Sequence, residues 1–354
     1  MKGIWVVVCL LCLAGTPLAA RQQKGAKAKP QPLQIFFVDA EGGAATLIVT
    51  PAGESLLVDC GWPRDDARDA RRIQAAAKLA GIKQIDHMLI THYHTDHWGG
   101  LGELAKRIPI RKFYDHGRAA ELAEDKKWFP QLNQTYSQAT KNQTHALRPG
   151  DEIHLERAPG SPRLFLEVLT SNGEALKHSG PDNPLCAKAP LQKDDPTDNA
   201  RSVGFALTFG RFRFLDLGDV TWNVEHKLVC PVNGAGPITL YQVGHHGMNI
   251  SNSPVLLASI KPQVAVMNNG PKKGGHPDVV KWLHEVPSVE DIYQLHRNIA
   301  AKDEENAPAG FLANLGGEEE CQGNWVKVVV APDGSSYTVT NGRTGQAKTY
   351  AVKQ

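Results

Sequence analysis

Residues 89–100 read LITHYHTDHWGG, which places His92, His94, Asp96 and His97 within six positions of a chain holding 14 histidines in 354 residues. A His-x-His-x-Asp-His string arises by chance in a chain of this composition with odds of roughly one in a thousand. Neutral imidazole and carboxylate are the ligand types that suit zinc and neighbouring divalent metals. Two histidines two apart on a tight loop can aim at one ion, and the aspartate and histidine that follow can turn toward a second. Ions about 3.5 to 4 Å apart can share a water, deprotonate it and hold it for in-line attack. One such string supplies too few ligands for a pair of ions, so others must arrive from distant segments. Asp219 in RFLDLGDV and the His245–His246 pair in YQVGHHG each follow directly on an apolar strand pattern. An aspartate, with its paired oxygens, suits a bridge between ions. Of the two adjacent histidines, one can be a ligand while the other ring is left for substrate or a proton.

The elements that must position these groups alternate in type. LQIFFVD, ATLIVT and SLLVDCG are apolar, β-branched runs with Gly/Pro punctuation, which predicts strands. RDDARDARRIQAAAKLAG predicts a helix closed by Gly81, and IDHMLITH a buried strand that delivers the histidine string to the loop beyond it. Gly99 and Gly100 lead into a helix, LGELAKRI. Between Phe113 and Pro196 the pattern is weaker: a helix within DKKWFPQLNQTYSQATKNQ, strands DEIHLE and RLFLEVLT, then a long loop rich in turn residues. Alternation resumes with strands SVGFALTF and RFRFLDLGD, helix TWNVEHKLV, strand ITLYQVGHHG, helix SPVLLASI, strand QVAVMNN and helix PDVVKWLHEV. NWVKVVVAPDGSSYTVTN predicts a hairpin turning at Asp333–Gly334. There is no short-period repeat, which disfavours a solenoid or propeller.

Composition bounds the rest. The chain is 41% hydrophobic and 21% charged, with formal net charge +2. That is ample apolar material for a core and no electrostatic footprint for nonspecific nucleic-acid binding. Residues 1–20, with Lys2 before the apolar Ile4–Gly15 run and the small-residue exit Pro17–Ala20, predict an export signal. Residues 21–32 predict a disordered basic leader, and no later stretch is apolar enough to span a membrane. Four cysteines remain beyond the signal: Cys60, Cys186, Cys230 and Cys321. In an oxidising compartment they can form one or two disulfides; none forms a CxxC pair, so zinc binding by cysteine is not expected.

THYHTDHWGG, LDLGD and VGHHG, in that order, resemble the metallo-β-lactamase fold superfamily, as does the opening FFVDAEGGAATLIVTPAGESLLVDCG. The pairing of HHG with the later GGHPDVV is most similar to the extracellular domain of ComEC-type DNA-uptake competence proteins, and the resemblance covers roughly Leu33 to Tyr293. It implies an α/β, four-layer αββα sandwich whose halves meet at a dinuclear metal site, here over residues 33–320, with a C-terminal β-hairpin over 321–354 packed on the same domain. Carried over, His92 and His94 bind the first ion; Asp96, His97 and one of His245 or His246, with His245 preferred, bind the second; Asp219 bridges. Many family members supply a third histidine to the first ion. His116, His145, His154 and His178 fall in no matching motif, and Asp198, in TDNARSV, is the candidate instead. Asp96, His246 and His276 are assigned to the reaction, His276 lining substrate or serving the helix that starts at Pro277. Asp59 is expected to brace a metal-bound histidine, Asp39 to be satisfied by backbone turns, and Trp62 and Trp98 to line the cleft or the core.

The function these readings imply is an exported hydrolase using a metal-bridging hydroxide, with zinc favoured and manganese the alternative. Its substrates would be phosphodiesters or other small molecules. Nucleic acid is admitted by the resemblance but not indicated by charge. Lactone, β-lactam or ester hydrolysis is the second reading, and a non-catalytic binding module or a detached DNA-uptake component are others. The sequence leaves the oligomeric state open.

Overall fold

Leu33, Ile35 and Phe37 alternate with Phe36 and Val38, and both sets are buried, so the first strand must be covered on both faces. The computed structural model shows how; it describes residues 1–3, 31–119 and 121–353. The expected export signal and basic leader therefore lie outside the described residues, apart from residues 1–3 and 31–32. In chain order the strands are β1 (Leu33–Phe37), β2 (Thr46–Val49), β3 (Ser55–Val58), β4 (Ile85–Leu89), β5 (Ile110–Asp115), β6 (His145–Ala146), β7 (Leu164–Ser171), β8 (Glu174–Ala175), β9 (Gly204–Phe209), β10 (Phe212–Asp216), β11 (Leu240–Val243), β12 (Val264–Met267), β13 (Asp291–His296), β14 (Leu312–Asn314), β15 (Val326–Val330), β16 (Ser336–Asn341) and β17 (Ala347–Ala351). The helices are α1 (Arg68–Leu79), α2 (Thr95–Trp98), α3 (Leu101–Ala105), α4 (Phe129–Thr140), α5 (Trp222–Val229), α6 (Pro254–Ile260) and α7 (Pro277–His284).

One nine-stranded sheet has the order β17-β16-β15-β1-β2-β3-β4-β5-β6, and an eight-stranded sheet has the order β14-β13-β12-β11-β10-β9-β7-β8. Between them Leu33, Ile35 and Phe37 meet Phe205, Leu207, Phe209 and Phe214. On the outer face of the first sheet, Ile73, Leu104, Leu132 and Tyr136 of α1, α3 and α4 cover Phe36, Leu47, Leu57 and Met88. On the outer face of the second, Val224, Leu228, Leu256, Val279 and Leu283 of α5, α6 and α7 cover Leu215, Tyr241 and Ala265. Helix, sheet, sheet and helix give the αββα sandwich.

Two local expectations change and a third is made specific. DEIHLE forms no strand; only Glu152 makes an isolated bridge, to Glu167. The C-terminal hairpin does turn at Gly334, but β17 extends it to a three-stranded meander, and β15 pairs with β1 from Leu33↔Val330 to Phe37↔Val326. Of the cysteines, Cys186 and Cys230 form a disulfide, while Cys60 and Cys321 are free.

β3, β4 and β5 run parallel in one sheet, as do β10 to β14 in the other. The carboxyl ends of such strands are where an open α/β sheet presents its ligand-binding turns. The turn after β11 is itself held from below. The Glu225 carboxylate of α5 accepts the backbone N–H groups of Asn252 and Ser253 at 2.6 and 2.8 Å. The Asn252 amide then donates to the carbonyls of Gly244 and Met248. Burial pushes the Glu225 carboxyl up to about 7, from 4.5, against the pull of these N–H donors. Between those values the folded chain keeps a proton that the unfolded chain has shed. The stability this contributes is therefore full below the unfolded value and is lost as pH rises to about 7, by roughly 3 kcal/mol. Glu225→Gln is expected to flatten this part of the stability profile in urea melts; an unchanged slope would remove Glu225 as its cause.

Candidate metal centre

β4 ends at Leu89 and its chain turns through Thr91–His94 into α2, a single turn that carries Asp96 and His97. The turn is pinned on several sides. Val203 N donates to Thr91 O at 2.9 Å, Ala44 N to Asp96 O at 3.1 Å, and Cys60 N to His97 O at 2.6 Å. Asp219 lies three residues beyond the end of β10, and His245–His246 follow β11 in a tight turn whose two histidines both have left-handed backbone, φ 52° and 54°. His245 N donates to Gly218 O at 3.0 Å, which ties the two turns of the second sheet together. Gly218 is left-handed at φ +55°, and a Cβ there would stand 3.1 Å from the Cβ atoms of Thr91 and Ser202. Only glycine lets the β10 turn come this close to the turn after β4.

The result is a convergence of donor atoms. Asp96, His97, Asp219 and His246 are all buried, and each offers one ligand atom within 4.8 Å of the others'. His97 Nε2 is 3.3 Å from both Asp96 Oδ2 and Asp219 Oδ2, while His246 Nε2 is 3.0 and 3.4 Å from the same atoms. On the other side of Asp219, His92 Nε2 is 3.9 Å from its Oδ2 and 3.1 Å from His94 Nδ1. Carboxylate oxygens and imidazole nitrogens this close, aimed at shared points, form a donor set for hard-to-borderline divalent cations.

Surrounding groups fix the orientation of this set. Asp59 Oδ1 accepts Thr91 N–H at 2.8 Å; its Oδ2 accepts the Thr91 hydroxyl and faces His97 Nδ1, each at 2.7 Å. His97 is thereby held with Nε2 toward Asp96 and Asp219, the arrangement that orients a metal-binding imidazole. Burial alone would lower the His97 pKa, but the Asp219, Asp96 and Asp59 carboxylates override it and raise it well above the ordinary value. Burial would raise Asp219, yet His97, His245 and His246 hold it well below the carboxylate range; for Asp96 the same opposition is won by Lys273 and His97. His92, by contrast, is lowered by burial and by His97. The centre is thus a network of anionic oxygens that draws positive charge inward.

Residues 38–179 match the family model described as the Metallo-beta-lactamase superfamily. Over those residues the chain carries a metallo-β-lactamase superfamily domain. It is 24% identical to Recombination protein 2 of Haemophilus influenzae over 261 residues, which is 72% of this chain and 27% of that protein. With Competence protein ComA of Neisseria gonorrhoeae it shares 23% identity over 232 residues, 66% of this chain and 26% of that one. The chain thus spans about a quarter of the length of these two curated relatives. Among solved structures it is similar to CmlA, a diiron beta-hydroxylase from Streptomyces venezuelae, with TM-score 0.39, 15% identity, and coverage of 74% of this chain and 48% of that one.

Within this metallo-β-lactamase sandwich most sequence-predicted site residues come together, with two corrections. Of the adjacent histidines it is His246, not the preferred His245, whose ring lies beside Asp96 and His97. His245 touches only Asp219 of the set, at 3.4 Å, and its Nδ1 is 3.1 Å from Ser251 Oγ; burial lowers its pKa to about 4. His276 N–H donates to Gly247 O beside His246, but its ring turns away from the Asp96–Asp219 group. Its Nδ1 accepts Asp278 N–H at 3.2 Å and caps α7, which is the structural role open to a histidine before a helix-starting proline. Trp98 is core, packed with Tyr93, Phe129 and Tyr136. Trp62 instead faces the site, with Lys273 Nζ 5.0 Å from its ring centroid.

Asp198 lies outside the four-residue group, behind His94. Its Oδ2 accepts Tyr93 N–H at 2.7 Å and sits 3.1 Å from His116 Nε2. Its Oδ1 is buried without a hydrogen-bond partner among the described residues. Glu124 Oε1 links the two, accepting Asp198 N–H at 2.7 Å and lying 3.3 Å from His94 Nε2. The sequence pattern set His116 aside in favour of Asp198 and did not mark Glu124 or Lys273. His116 carried a findable signal, since it stands just past a strand end, as the other site residues do. Glu124 and Lys273 carried none. Lys273 Nζ pairs with Asp96 Oδ2, a contact between residues 177 positions apart.

Proposed function

We propose that this metallo-hydrolase is exported and cleaves phosphodiester-type substrates at the Asp96–Asp219 centre. The residues fit a pair of divalent ions. Asp96, His97 and His246 would hold one, His92, His94 and the Asp198 oxygen that lacks a hydrogen bond the other, and Asp219 both; zinc or manganese suits this mixture of imidazole and carboxylate. Bound there, the ions would activate water and stabilise charge building on the substrate's oxygens.

The observation that carries the substrate class is the Lys273 ammonium, lying over Trp62 and paired with Asp96 at the centre's edge. With Asp96 committed to an ion, Lys273 is left to pair with an anionic oxygen of the substrate, and the Arg64 guanidinium, 5.8 Å from the Trp62 ring centroid, adds positive charge at the same rim. A neutral lactone or amide has no use for either cation. A cleft of about 390 Å³ opens between Thr221–Trp222, just past Asp219, and Asn249–Ile250, just past His246. That is the size of a pocket for one small molecule. Export is supported by the residue 1–20 pattern and by the Cys186–Cys230 disulfide, a bond typical of oxidising compartments. Among the described residues no helix is long and apolar enough to cross a membrane.

The test is a panel of a chromogenic phosphodiester, single-stranded DNA, a lactone and a cephalosporin, run on the metal-loaded chain and on Lys273→Met. The diester is expected to be the best substrate, and Lys273→Met to lower its kcat/KM by about 10- to 100-fold, with metal content unchanged and any lactone turnover spared. A lactone or cephalosporin turned over faster than the diester would overturn the substrate class, as would equal losses on all substrates.

A further inference from the structure

A second group of ligand-type side chains lies apart from the Asp96–Asp219 centre, where the chain crosses from one sheet to the other. Asp39 follows β1 of the first sheet, His296 ends β13 of the second, and Cys321 lies on the connection from β14 to β15. Asp39 Oδ1 is 2.7 Å from His296 Nε2, Asp39 Oδ2 is 3.0 Å from Cys321 Sγ, and Cys321 Sγ is 3.8 Å from His296 Nε2. Asp39 and His296 have no exposed surface. The aspartate expected to be satisfied by backbone turns takes one such bond, from Glu41 N–H. Its other partners come from across the fold.

Polar groups converge on the Cys321 sulfur. Gly323 N–H and the Arg72 guanidinium both point at Cys321 Sγ, each at 3.4 Å. N–H donors converging on sulfur are the surroundings of a thiolate. The Cys321 thiol donates its proton to Asp39 Oδ2 at 3.0 Å. A dication among the three ligand atoms would take the place of that proton, with the two N–H donors left on the sulfur.

We propose that Asp39, His296 and Cys321 form a structural zinc site. One thiolate, one imidazole and one carboxylate are ligands suited to zinc, with water in the remaining tetrahedral position next to the part-exposed Cys321. Zinc bonds of about 2.0–2.3 Å put tetrahedral ligand atoms roughly 3.4–3.6 Å apart. The sulfur–nitrogen separation of 3.8 Å is already near that spacing, and the Asp39–His296 contact of 2.7 Å has to open by less than about 1 Å. A bound ion would staple β1, β13 and the crossover to one another. It also accounts for a free cysteine in a chain that carries a disulfide. A lone cysteine lacks the CxxC signature, so only the fold assembles this set.

The experiment loads the full chain with cobalt(II) in place of zinc and records its near-ultraviolet spectrum. Among the described residues the Asp96–Asp219 centre has no sulfur ligand. A thiolate-to-cobalt charge-transfer band is therefore expected from Cys321 alone. It should vanish in Cys321→Ser and persist in Asp219→Ala. Elemental analysis of the zinc-loaded proteins should find one zinc per chain fewer in Cys321→Ser than in wild type. A cobalt-replete wild-type chain lacking that band, or equal zinc content in wild type and Cys321→Ser, overturns the site. Because the band is read in Asp219→Ala as well, its loss or survival is independent of whether the other centre performs hydrolysis.

Discussion

Asp219→Ala is expected to lower kcat/KM by at least about a thousandfold and to strip metal from the protein. Asp219 Oδ2 is the atom common to both halves of the centre: it lies 3.3 Å from His97, 3.4 Å from both His245 and His246, and 3.9 Å from His92. No other carboxylate of the set touches the His92 side. Removing it leaves several buried imidazoles facing one another and takes away the carboxylate that does most to raise the His97 pKa. Elemental analysis and turnover are measured on the same preparation. If activity survives in Asp219→Ala with wild-type metal content, the centre does not perform the reaction. Asp219→Asn keeps the shape and serves as the control for folding.

Asp198→Asn is expected to lower turnover by about a hundredfold and to release one ion of the pair more readily than the other. The reason is the Oδ1 atom, which is buried and accepts no hydrogen bond among the described residues although Oδ2 of the same side chain is held by Tyr93 N–H and faces His116. A carboxylate gripped on one oxygen, with the other free of hydrogen bonds and only the Arg201 guanidinium near it at 4.0 Å, is positioned for a cation. The amide keeps the volume but loses the charge and one acceptor. Chelator titration followed by metal analysis reads this directly. Equal release of both ions, with turnover within about twofold of wild type, would leave Asp198 a purely structural partner of His116.

Much of this was legible because the site stands at strand ends. Continuous apolar runs such as those of β4, β10 and β11 mark strands covered on both faces, and the polar residues immediately after them had to converge once the strands were parallel. That logic located the histidine string, Asp219 and the histidine pair. It could not decide between His245 and His246, since two adjacent left-handed residues send their rings to different sides by backbone geometry that no side-chain pattern encodes. It misjudged His276 because a capping histidine and a substrate-lining histidine occupy the same position before a helix. DEIHLE failed as a strand because it lies against β7 without a continuous ladder: Glu152 makes an isolated bridge to Glu167, and Asp151 O accepts Val168 N–H. Lys273, Glu124 and the Asp39–His296–Cys321 group depend on tertiary proximity between segments with no local signature.

The pairing of Leu33 with Val330 has a consequence for how the molecule comes into being. β1 lies between β2, its near neighbour in sequence, and β15, which arrives almost a whole chain length later. Loop closure over that span is slow compared with the local hairpins. A polypeptide emerging amino end first must keep the apolar flank of β1 waiting, unzipped, until the last meander docks. Completion of the inner core, and with it rigid alignment of the two halves, is thus a late event in maturation.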